Sequence, residues 1–382
     1  MSDIEKVNDA LTRGVESILP SKEGLAGLMK KRKIRAYQGF DPTNSSLHIG
    51  HFVGARKLAQ FQKLGHKVIF LIGDFTARIG DPTDKTAARK QLTRKQVLKN
   101  LKDYKVQIER VVDFKGSNPA EIKFNSEWLD KLDFEDVIEL ATNFTVQQML
   151  ERDFFQKRLK ERKPIYLHEF LYPLMQGYDS LAMGVDLEIG GNDQLFNMLA
   201  GRTLLKSLKN KEKYVLTTKL LGTAMGKKMS KTNSGAINLN DTDINIFGKI
   251  MALSDNFIDS GIVLLTDLPL DYSNDKNPLD VKKRIAFEVV KQIRGEKGAI
   301  KAQEHFENTF QKRAAGYEDF VKSGKNLSET VAKASGVSLT QAKRLISQGS
   351  VDINDETITD PTHIPAKGDR LKIGKKKFVK IK

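Results

Sequence analysis

The order of apolar and polar residues predicts a strand, a helix and a second strand near the N-terminus. Residues 34–40, IRAYQGF, predict a strand that runs into a turn. Residues 50–64 place apolar side chains at helical spacing and stop before Gly65. The near-continuous apolar run KVIFLIGDF at 67–75 is typical of a strand that is buried on both faces of a parallel sheet. This order predicts a βαβ unit.

Further strands and helices extend that unit into a larger domain. Residues 185–194, VDLEIGGNDQ, predict a strand that ends in glycines, and the following LFNMLAGRTLLKSL predicts a helix. Basic helical patterns over 93–162 predict helices that are inserted into the sheet or flank it, with the insertion at about 115–165. We therefore expect residues 1–240 to form a doubly wound, Rossmann-like α/β domain with a parallel sheet.

The pattern changes after about Asp241, where helical segments follow one another: INIFGKIMAL, NFIDSGIVLL, NPLDVKKRIAFEVVKQIRG and KGAIKAQEHFENTF. They predict an α-helical domain over 241–318. The segment GYEDFVKSGKN at 316–326 is polar and contains glycine, as linkers do. Residues 327–382 predict two short helices followed by short strands, which together form a small α+β domain.

Composition narrows the class of protein. The chain of 382 residues is long enough for two or three domains, and it contains no cysteine. A disulfide framework and a thiolate metal site are therefore excluded, which fits a reducing cytoplasm. The polar N-terminus lacks the apolar segment of a signal peptide, and no run reaches about 18 apolar residues, so we expect neither export nor membrane insertion.

The charge balance favours a polyanionic partner. There are 64 Lys and Arg residues against 48 Asp and Glu, a formal net charge of +16. RNA and DNA are the obvious candidates, although a solvated basic surface accounts for the charge equally well. Residues 327–382 contain 11 basic and 6 acidic side chains, a net charge of +5.

The segment SLHIGH places His48 and His51 three residues apart, where the first helix is predicted to begin. A helix N-terminus offers free N–H groups and a positive dipole end to phosphate. Two imidazoles there could stabilise negative charge on a phosphoryl group, and Gly50 would let a nucleotide approach closely. A hydrogen-bonded surface turn fits the same residues. A zinc site is less well supported, because the six scattered histidines supply no third ligand.

A second candidate motif, GKKMSKT, lies far downstream at 226–232. On its own a lysine-rich loop is usually solvated, and this spacing is not that of a P-loop. Taken with SLHIGH, however, it suits a nucleotide bound across the C-terminal edge of a doubly wound sheet. Lys228 and Lys231 could then stabilise a pyrophosphate leaving group electrostatically.

Together these two motifs resemble the signature motifs of the class I aminoacyl-tRNA synthetases. The longer segments YQGFDPTNSSLHIGH, GDPT, YPLMQGYD and GGNDQ resemble those of bacterial-type tyrosyl-tRNA synthetases, and the resemblance covers essentially the whole chain. The segment TQAKRLISQGSVDIN in the last domain is similar to an S4 RNA-binding domain. Many tyrosyl enzymes carry a degenerate lysine motif, whereas this one is nearly complete, which resembles the second bacterial subtype.

YPLMQGYD places Tyr172, Gln176 and Asp179 on one face of a predicted helix, which also fits an ordinary amphipathic helix. The resemblance implies that Asp179 and Tyr37 bind the phenol hydroxyl of tyrosine. It implies that Tyr172, Gln176 and Asp81 bind the α-ammonium, whose three hydrogens need acceptors.

The resemblance also implies further substrate contacts. Gln194 is expected to line the tyrosine pocket, with Thr76 a weaker candidate. GGNDQ ends a strand, where Asp193 could accept hydrogen bonds from ribose; a glycine turn with an N-capping Asp is the alternative. The residues expected to contact ATP are Gly39, Asp41, Gly50, Gly191, Asp193 and Lys231. Those expected to act in catalysis, by positioning and by charge stabilisation, are Thr43, His48, His51, Lys85, Arg89, Lys228, Lys231 and Thr232.

The implied activity has two steps: L-tyrosine and ATP form tyrosyl-adenylate and pyrophosphate, and the tyrosyl group is then transferred to the terminal adenosine of tRNA(Tyr). Mg²⁺ is expected to accompany ATP, held mainly by phosphates and water, with no dedicated protein metal site. Residues 134–155 are unusually apolar for an inserted helical segment. They fit an internal core, whereas the resemblance implies a homodimer interface.

Three alternatives remain open at the level of sequence. One is another adenylyl- or cytidylyl-transfer enzyme, since these share the His-x-Gly-His motif. Another is a tryptophan-specific synthetase, although the pairing of Tyr37 with Asp179 favours tyrosine. The third is a catalytically silent RNA-binding protein on a synthetase fold, against which the intact motifs argue.

Overall fold

A computed structural model describes residues 2–81, 92–221, 236–311, 319–374 and 377–382. Within these ranges the chain forms two compact units, residues 1–302 and 303–382. None of the helices in the described ranges is both long and apolar enough to cross a bilayer. The predicted division near residue 241 stays a prediction.

The first unit is built on a six-stranded sheet. Its strands are β1 Val15–Leu19, β2 Arg35–Phe40, β3 Lys67–Ile72, β4 Glu121–Phe124, β5 Leu187–Gly191 and β6 Tyr214–Thr218. Their order in space is β1-β6-β5-β2-β3-β4, and only the β1–β6 pair is antiparallel. The predicted doubly wound, parallel Rossmann-like sheet is confirmed. The strand order reverses between β2 and β5, the place where such sheets bind ligands.

Helices surround this sheet and continue beyond it. Those up to the last strand are α1 Asp3–Thr12, α2 Lys22–Lys31, α3 Ile49–Lys63, α4 Thr76–Ile79, α5 Arg94–Leu101, α6 Tyr104–Ile108, α7 Ser126–Leu129, α8 Phe134–Ala141, α9 Val146–Leu150, α10 Asp153–Lys160, α11 Leu167–Met183 and α12 Leu195–Lys209. The predicted later helices follow as α13 Asp243–Met251, α14 Ile258–Leu265, α15 Pro278–Arg294 and α16 Glu296–Phe306, with a π-helical turn at Glu307–Gln311.

The βαβ unit predicted from the apolar pattern is β2, α3 and β3. The side chains of β3 are buried from Val68 to Ile72, as a central strand of a parallel sheet requires. On α3, Phe52, Leu58 and Phe61 are fully buried. Burial of side chains of this size stabilises a core by roughly 1.5–3 kcal/mol each, so α3 is held firmly and its N-terminus has a fixed position at the sheet edge.

Two arginines join the later helices to this core. Helix α14 ends with carbonyl groups that have no partner within the helix. Arg13 donates to the carbonyl of Ile262 at 2.8 Å and to that of Leu268, in the loop after the helix, at 2.7 Å, and Arg56 on α3 donates to that of Leu265 at 3.0 Å. The guanidinium groups therefore satisfy the C-terminal end of α14 and place it against α1 and α3.

After residue 318, the described part of the second unit contains a five-stranded sheet and two helices. Its elements are β7 Asp319–Val321, α17 Leu327–Ser335, α18 Leu339–Ser347, β8 Val351–Ile353, β9 Glu356–Thr357, β10 Arg370–Ile373 and β11 Lys377–Ile381. The order is β7-β11-β10-β8-β9, with β7 and β11 parallel and the other pairs antiparallel. Val331, Ile346, Leu371 and Val379 pack in one core. The two helices and the strands after them agree with the sequence-based prediction.

Four strands differ from the prediction. β1 and β6 were not predicted, β4 lies in the region predicted as helices, and β7 lies in the segment predicted as a linker. β1, β4 and β7 have only three to five residues, and each pairs with a single neighbouring strand. Such strands are defined by main-chain hydrogen bonds to that neighbour, and they are too short for a period-two pattern to stand out.

His66, between α3 and β3, should make stability depend on pH. It is buried, accepts a hydrogen bond from the main chain of Ile34 at Nδ1, and burial lowers its pKa from 6.5 to about 4, with Lys33 nearby adding to the effect. Since the unfolded state binds the proton more readily, stability should be complete above about pH 6.5 and fall as the pH drops towards 4, by on the order of 3 kcal/mol.

Urea denaturation between pH 4 and 7 measures this dependence. The variant His66→Gln should lose most of it, whereas His305→Gln, on α16, should retain it. Equal pH dependence in both variants would contradict the assignment to His66.

Candidate active site

The crevice between β2 and β5 brings several predicted residues together. Asp41 follows β2, Gly191 ends β5, and Asp193 lies in a short 3₁₀ turn directly after it. Tyr37 of β2 is paired with Glu188 of β5. Because directly paired residues of adjacent strands project from the same face of a sheet, these two side chains are neighbours.

The two histidines of SLHIGH form the start of helix α3. The main-chain N–H of Gly50 donates to Nδ1 of His48, and that of His48 donates to Nδ1 of His51, each at 3.1 Å. The two rings stack with centroids 3.8 Å apart. A ring nitrogen that accepts a hydrogen bond carries no hydrogen, so the hydrogen of each ring is on Nε2. The hydrogen-bonded turn thus orients both rings as Nε2–H donors.

The described residues that flank 222–235, the segment with the lysine motif, lie at this crevice. Before it, Thr218 of β6 pairs with Gly191 of β5. After it, the main-chain N–H of Ile49 donates to the carbonyl of Ile237 at 2.9 Å, next to the histidine motif. The described residues on either side of the lysine motif therefore lie at the sheet edge that carries the histidine motif, although the two motifs are 175 or more residues apart in sequence.

Deep in the crevice, a buried carboxyl lies close to a buried tyrosine. Asp179 on α11 is only 2% exposed and accepts hydrogen bonds from the indole of Trp128 at 2.7 Å and the amide of Asn125 at 3.2 Å. Burial raises the pKa of the Asp179 carboxyl well above its usual range, against the opposing effect of these two donors. The hydroxyl of Tyr37 lies 2.7 Å from that of Ser180, the next residue on α11.

A continuous series of hydrogen bonds leads from Asp179 to a second carboxylate, Asp41. The amide of Asn125 also donates to the Thr76 hydroxyl at 3.0 Å, and Thr76 donates to Asp41 at 2.8 Å. The hydroxyl of Tyr172 donates to the other oxygen of Asp41, again at 2.8 Å. Asp41, predicted as an ATP contact, is therefore bonded to residues predicted for the tyrosine pocket.

Further polar side chains surround the other end of the crevice. Gln194 donates to Asp81 at 2.5 Å, and the guanidinium of Arg152 lies 3.9 Å from the same carboxylate. Burial lowers the pKa of Arg152, while Asp81 opposes that shift. The amide nitrogen of Gln176 donates to Glu188 at 2.9 Å. The carboxylates of Asp81 and Glu188 thus accept hydrogen bonds from Gln194 and Gln176, and Asp81 also lies next to the buried guanidinium of Arg152.

The remaining predicted residues are placed as follows. Gly39 lies within β2, and the main-chain N–H of Thr43 donates to the carbonyl of Asp41 at 2.7 Å. Five predicted residues lie outside the described ranges: Lys85, Arg89, Lys228, Lys231 and Thr232. Within the described ranges, no group of three or more His, Asp or Glu side chains is arranged to hold a metal ion.

Several residues of the crevice were missed by sequence analysis. Asn125 and Trp128 follow the short strand β4, and no periodic pattern marks them. Glu188 did carry a signal, since it is a carboxylate within an otherwise apolar strand. Lys213, fully buried next to Glu188, lies just before β6, and its sequence context resembles that of any surface lysine.

Comparisons with known proteins agree with this geometry. The model of the family described as class I tRNA synthetases (W and Y) matches residues 29–311. The tyrosine–tRNA ligase of Carboxydothermus hydrogenoformans is 41% identical over 410 residues, spanning 100% of this chain and 98% of that protein. The tyrosine–tRNA ligase 2 of Vibrio cholerae is 43% identical over 397 residues, spanning 100% and 99%. The chain belongs to the tyrosine–tRNA ligase family.

The fold of the family agrees as well. A C-terminally truncated mitochondrial tyrosyl-tRNA synthetase of Coccidioides posadasii superposes with a TM-score of 0.64 at 25% identity, covering 78% of this chain and 91% of that chain. The predicted family, reaction class and amino-acid substrate are thereby confirmed. The substrates of a tyrosine–tRNA ligase are tyrosine, ATP and tRNA, and the roles of single residues towards them stay predictions.

Proposed function

We propose that the crevice between β2 and β5 is the site at which this ligase activates L-tyrosine with ATP. The observation that carries the proposal is the pair of buried groups, the Asp179 carboxyl and the Tyr37 hydroxyl of β2, together with a helix start at the end of the same strand, where the ring of His51 packs against Phe40. A phenol hydroxyl both donates and accepts a hydrogen bond, so two adjacent polar groups suit it. The imidazole donors suit the phosphates of the second substrate.

Tyrosine would lie with its phenol towards Tyr37 and Asp179 and its α-ammonium towards Tyr172, Gln176 and Asp81. The oxygen atoms of these three side chains support this orientation, because an ammonium group has three hydrogens to donate and no acceptor. Asp41 would contribute by fixing Tyr172 through their 2.8 Å hydrogen bond. Gln194 and Thr76 would complete the pocket through their bonds to Asp81 and Asp41.

ATP would lie across the strand ends, with its phosphates at the start of α3. His48 and His51 would donate from Nε2 to phosphate oxygens, and Gly50 would leave room for them. Asp193 would accept from the ribose hydroxyls. Close approach of the nucleotide would involve Gly39 and Gly191, and the pyrophosphate would be stabilised by Thr43, Lys85, Arg89, Lys228, Lys231 and Thr232.

The chemistry then needs no protein nucleophile. A carboxylate oxygen of tyrosine attacks the α-phosphorus of ATP, the bond to the β-phosphate oxygen breaks, and pyrophosphate leaves. A ribose hydroxyl of the terminal adenosine of tRNA(Tyr) next attacks the tyrosyl carbonyl, AMP leaves with the bonding pair, and the proton of the hydroxyl passes to the AMP phosphate or to solvent. Positioning and charge stabilisation account for catalysis. Mg²⁺ would enter bound to the phosphates of ATP, which supply the oxygen ligands that it prefers.

The second unit is proposed to bind tRNA, in the cytoplasm where tRNA is charged. Lys333, Lys343 and Arg344 are exposed on α17 and α18, and residues 327–382 carry a net charge of +5. Exposed cations on a helix attract a phosphate backbone irrespective of its sequence.

The protein is also proposed to form a homodimer through α8 and α9. Phe134, Ile138 and Val146 are 79%, 53% and 66% exposed, while Leu140 and Met149 of the same two helices are buried. Helices with an apolar side chain on both faces usually have a partner on each. A second copy of the chain is the partner that the family resemblance implies.

An assay of amino-acid-dependent ATP–pyrophosphate exchange tests the proposed reaction. All twenty amino acids are assayed without tRNA, and tyrosine alone should support exchange. Exchange with tryptophan instead would contradict the pocket assignment, and no exchange by folded protein would contradict the activation step.

Replacing Asp179 by Asn should weaken tyrosine binding by roughly 10- to 100-fold, because a hydrogen bond to a charged acceptor is lost, and should reduce the preference over phenylalanine. In the unsubstituted protein, affinity should fall as the pH is lowered, beginning above the ordinary Asp pKa of 3.8 because burial raises the pKa of Asp179. Equilibrium dialysis from pH 5 to 8 measures both. Asp130→Asn, at a partly exposed ion pair with Arg78, is the control; the same loss there would refute the assignment.

The double variant Phe134→Asp, Ile138→Asp should be monomeric, because two charges would be buried in the proposed interface. Light scattering after size exclusion measures the molar mass. Leu270→Asp, at another exposed apolar position, should leave the dimer intact. A dimeric double variant would argue against α8 as the interface.

A further inference from the structure

A buried ion pair lies beneath the proposed tyrosine pocket and has no part in the mechanism above. The side chains of Lys213 and Glu188 are 0% and 3% exposed. Lys213 donates to Glu188, to the Ser180 hydroxyl at 2.7 Å and to the carbonyl of Met198 at 3.0 Å. The three hydrogens of its ammonium group are thus all used.

Space for this ammonium group is provided by Gly201 on α12. A Cβ atom at Gly201 would lie 2.5 Å from Lys213 Nζ and 2.6 Å from Ser180 Oγ, so no larger residue fits without a shift. Burying two charges is expensive, and apolar residues of similar size often stabilise a protein at least as well. Stability alone therefore gives little reason for an ion pair at this position.

Lys213 determines which of the neighbouring hydroxyls donates and which accepts a hydrogen bond. An ammonium group can only donate, so the Ser180 hydroxyl accepts from Lys213 and has one hydrogen of its own to give. The hydroxyl oxygen of Tyr37 is 2.7 Å from Ser180, whereas the nearest oxygen of Glu188 is 3.4 Å away. Either hydroxyl could donate in the 2.7 Å contact, and we assign Ser180 as the donor because Glu188, the alternative acceptor for its hydrogen, is farther away. With this assignment the phenolic hydrogen of Tyr37 is directed to another acceptor.

Glu188 requires its neighbours to donate hydrogen bonds to it. Glu188 can only accept, so the amide of Gln176 presents its nitrogen to Glu188, at 2.9 Å. The amide carbonyl of Gln176 consequently faces away from Glu188 and can accept a hydrogen bond from an ammonium group.

We propose that the Glu188–Lys213 ion pair sets the hydrogen-bond direction at both ends of the tyrosine pocket. Through Ser180, Lys213 makes Tyr37 a donor to the phenol oxygen of the substrate, and Glu188 makes Gln176 an acceptor for its ammonium. With Asp179 as acceptor, the pocket then offers one donor and one acceptor to the para position. A hydroxyl satisfies both; phenylalanine leaves both unpaired. The inference rests on the proposed contacts of Tyr37 and Asp179.

Ser180→Ala interrupts the connection to Tyr37 without removing a charge. The single tryptophan, Trp128, donates to Asp179, so its fluorescence reports binding in the pocket without any need for turnover. The dissociation constant for tyrosine should rise roughly fivefold, as expected for one neutral hydrogen bond, while that for phenylalanine should stay unchanged. In ATP–pyrophosphate exchange, KM for tyrosine should rise, with kcat and KM for ATP changed less than about twofold.

Two comparisons separate positioning from a general structural effect. Ser328→Ala removes the same atom from an equally buried serine of α17 and should leave tyrosine selectivity unchanged. In a Tyr37→Phe background, Ser180→Ala should cause no further loss of selectivity, because the hydroxyl through which it acts is already absent. An additive loss there would overturn the proposal.

The outcomes also distinguish this inference from the proposed function. If tyrosine leaves the Trp128 fluorescence of the unsubstituted protein unchanged, and equilibrium dialysis detects no bound tyrosine, the proposed pocket is wrong. If the unsubstituted protein binds tyrosine and folded Ser180→Ala keeps the full preference over phenylalanine, the inference alone fails. Should Ser180→Ala not fold, Ser180→Cys keeps a small side chain with a weaker donor, and unchanged selectivity in that variant would contradict the inference equally.

Discussion

A carboxyl group that is 2% exposed, as Asp179 is, must be hydrogen-bonded, protonated or both. That requirement explains much of the arrangement around it. Trp128 and Asn125 donate to its two oxygens, and Asn125 in turn bonds Thr76, which bonds Asp41. Strands β2, β3 and β4 and helix α11 are thus joined at one depth of the crevice by polar contacts, where a protein core ordinarily has apolar ones.

The same crevice contains an unusual amount of buried charge for the middle of a sheet. Glu188 and Lys213 lie on the other side of Tyr37 from the apolar residues Ile69 and Leu71. Groups like these lower stability unless every hydrogen bond is made. Their presence beneath a substrate site is understandable if they orient the side chains that contact the substrate, which makes the pocket selective before the substrate arrives.

Much of this could be predicted from sequence, and the limits have physical causes. Helical spacing alone places Gln176 and Asp179 on one face of α11, and the apolar run of β3 identifies the central strand. Short strands such as β4 are defined by main-chain hydrogen bonds to a neighbouring strand, and their own sequence carries no clear pattern. The hydrogen-bond donors to Asp179 come from a different part of the chain, so no local sequence pattern predicts them. The family resemblance assigned Asp41 to ATP, and no sequence pattern indicated that its carboxylate accepts a hydrogen bond from Tyr172.

The most direct test of the central claim, that the buried polar groups of the crevice recognise the phenol hydroxyl, is a crystal structure with L-tyrosine bound. We expect the phenol oxygen within about 3.2 Å of both the Tyr37 hydroxyl and the Asp179 carboxylate, with the ammonium near the Gln176 carbonyl. A tyrosine bound in the reverse orientation, or one whose phenol oxygen contacts neither group, would contradict the account.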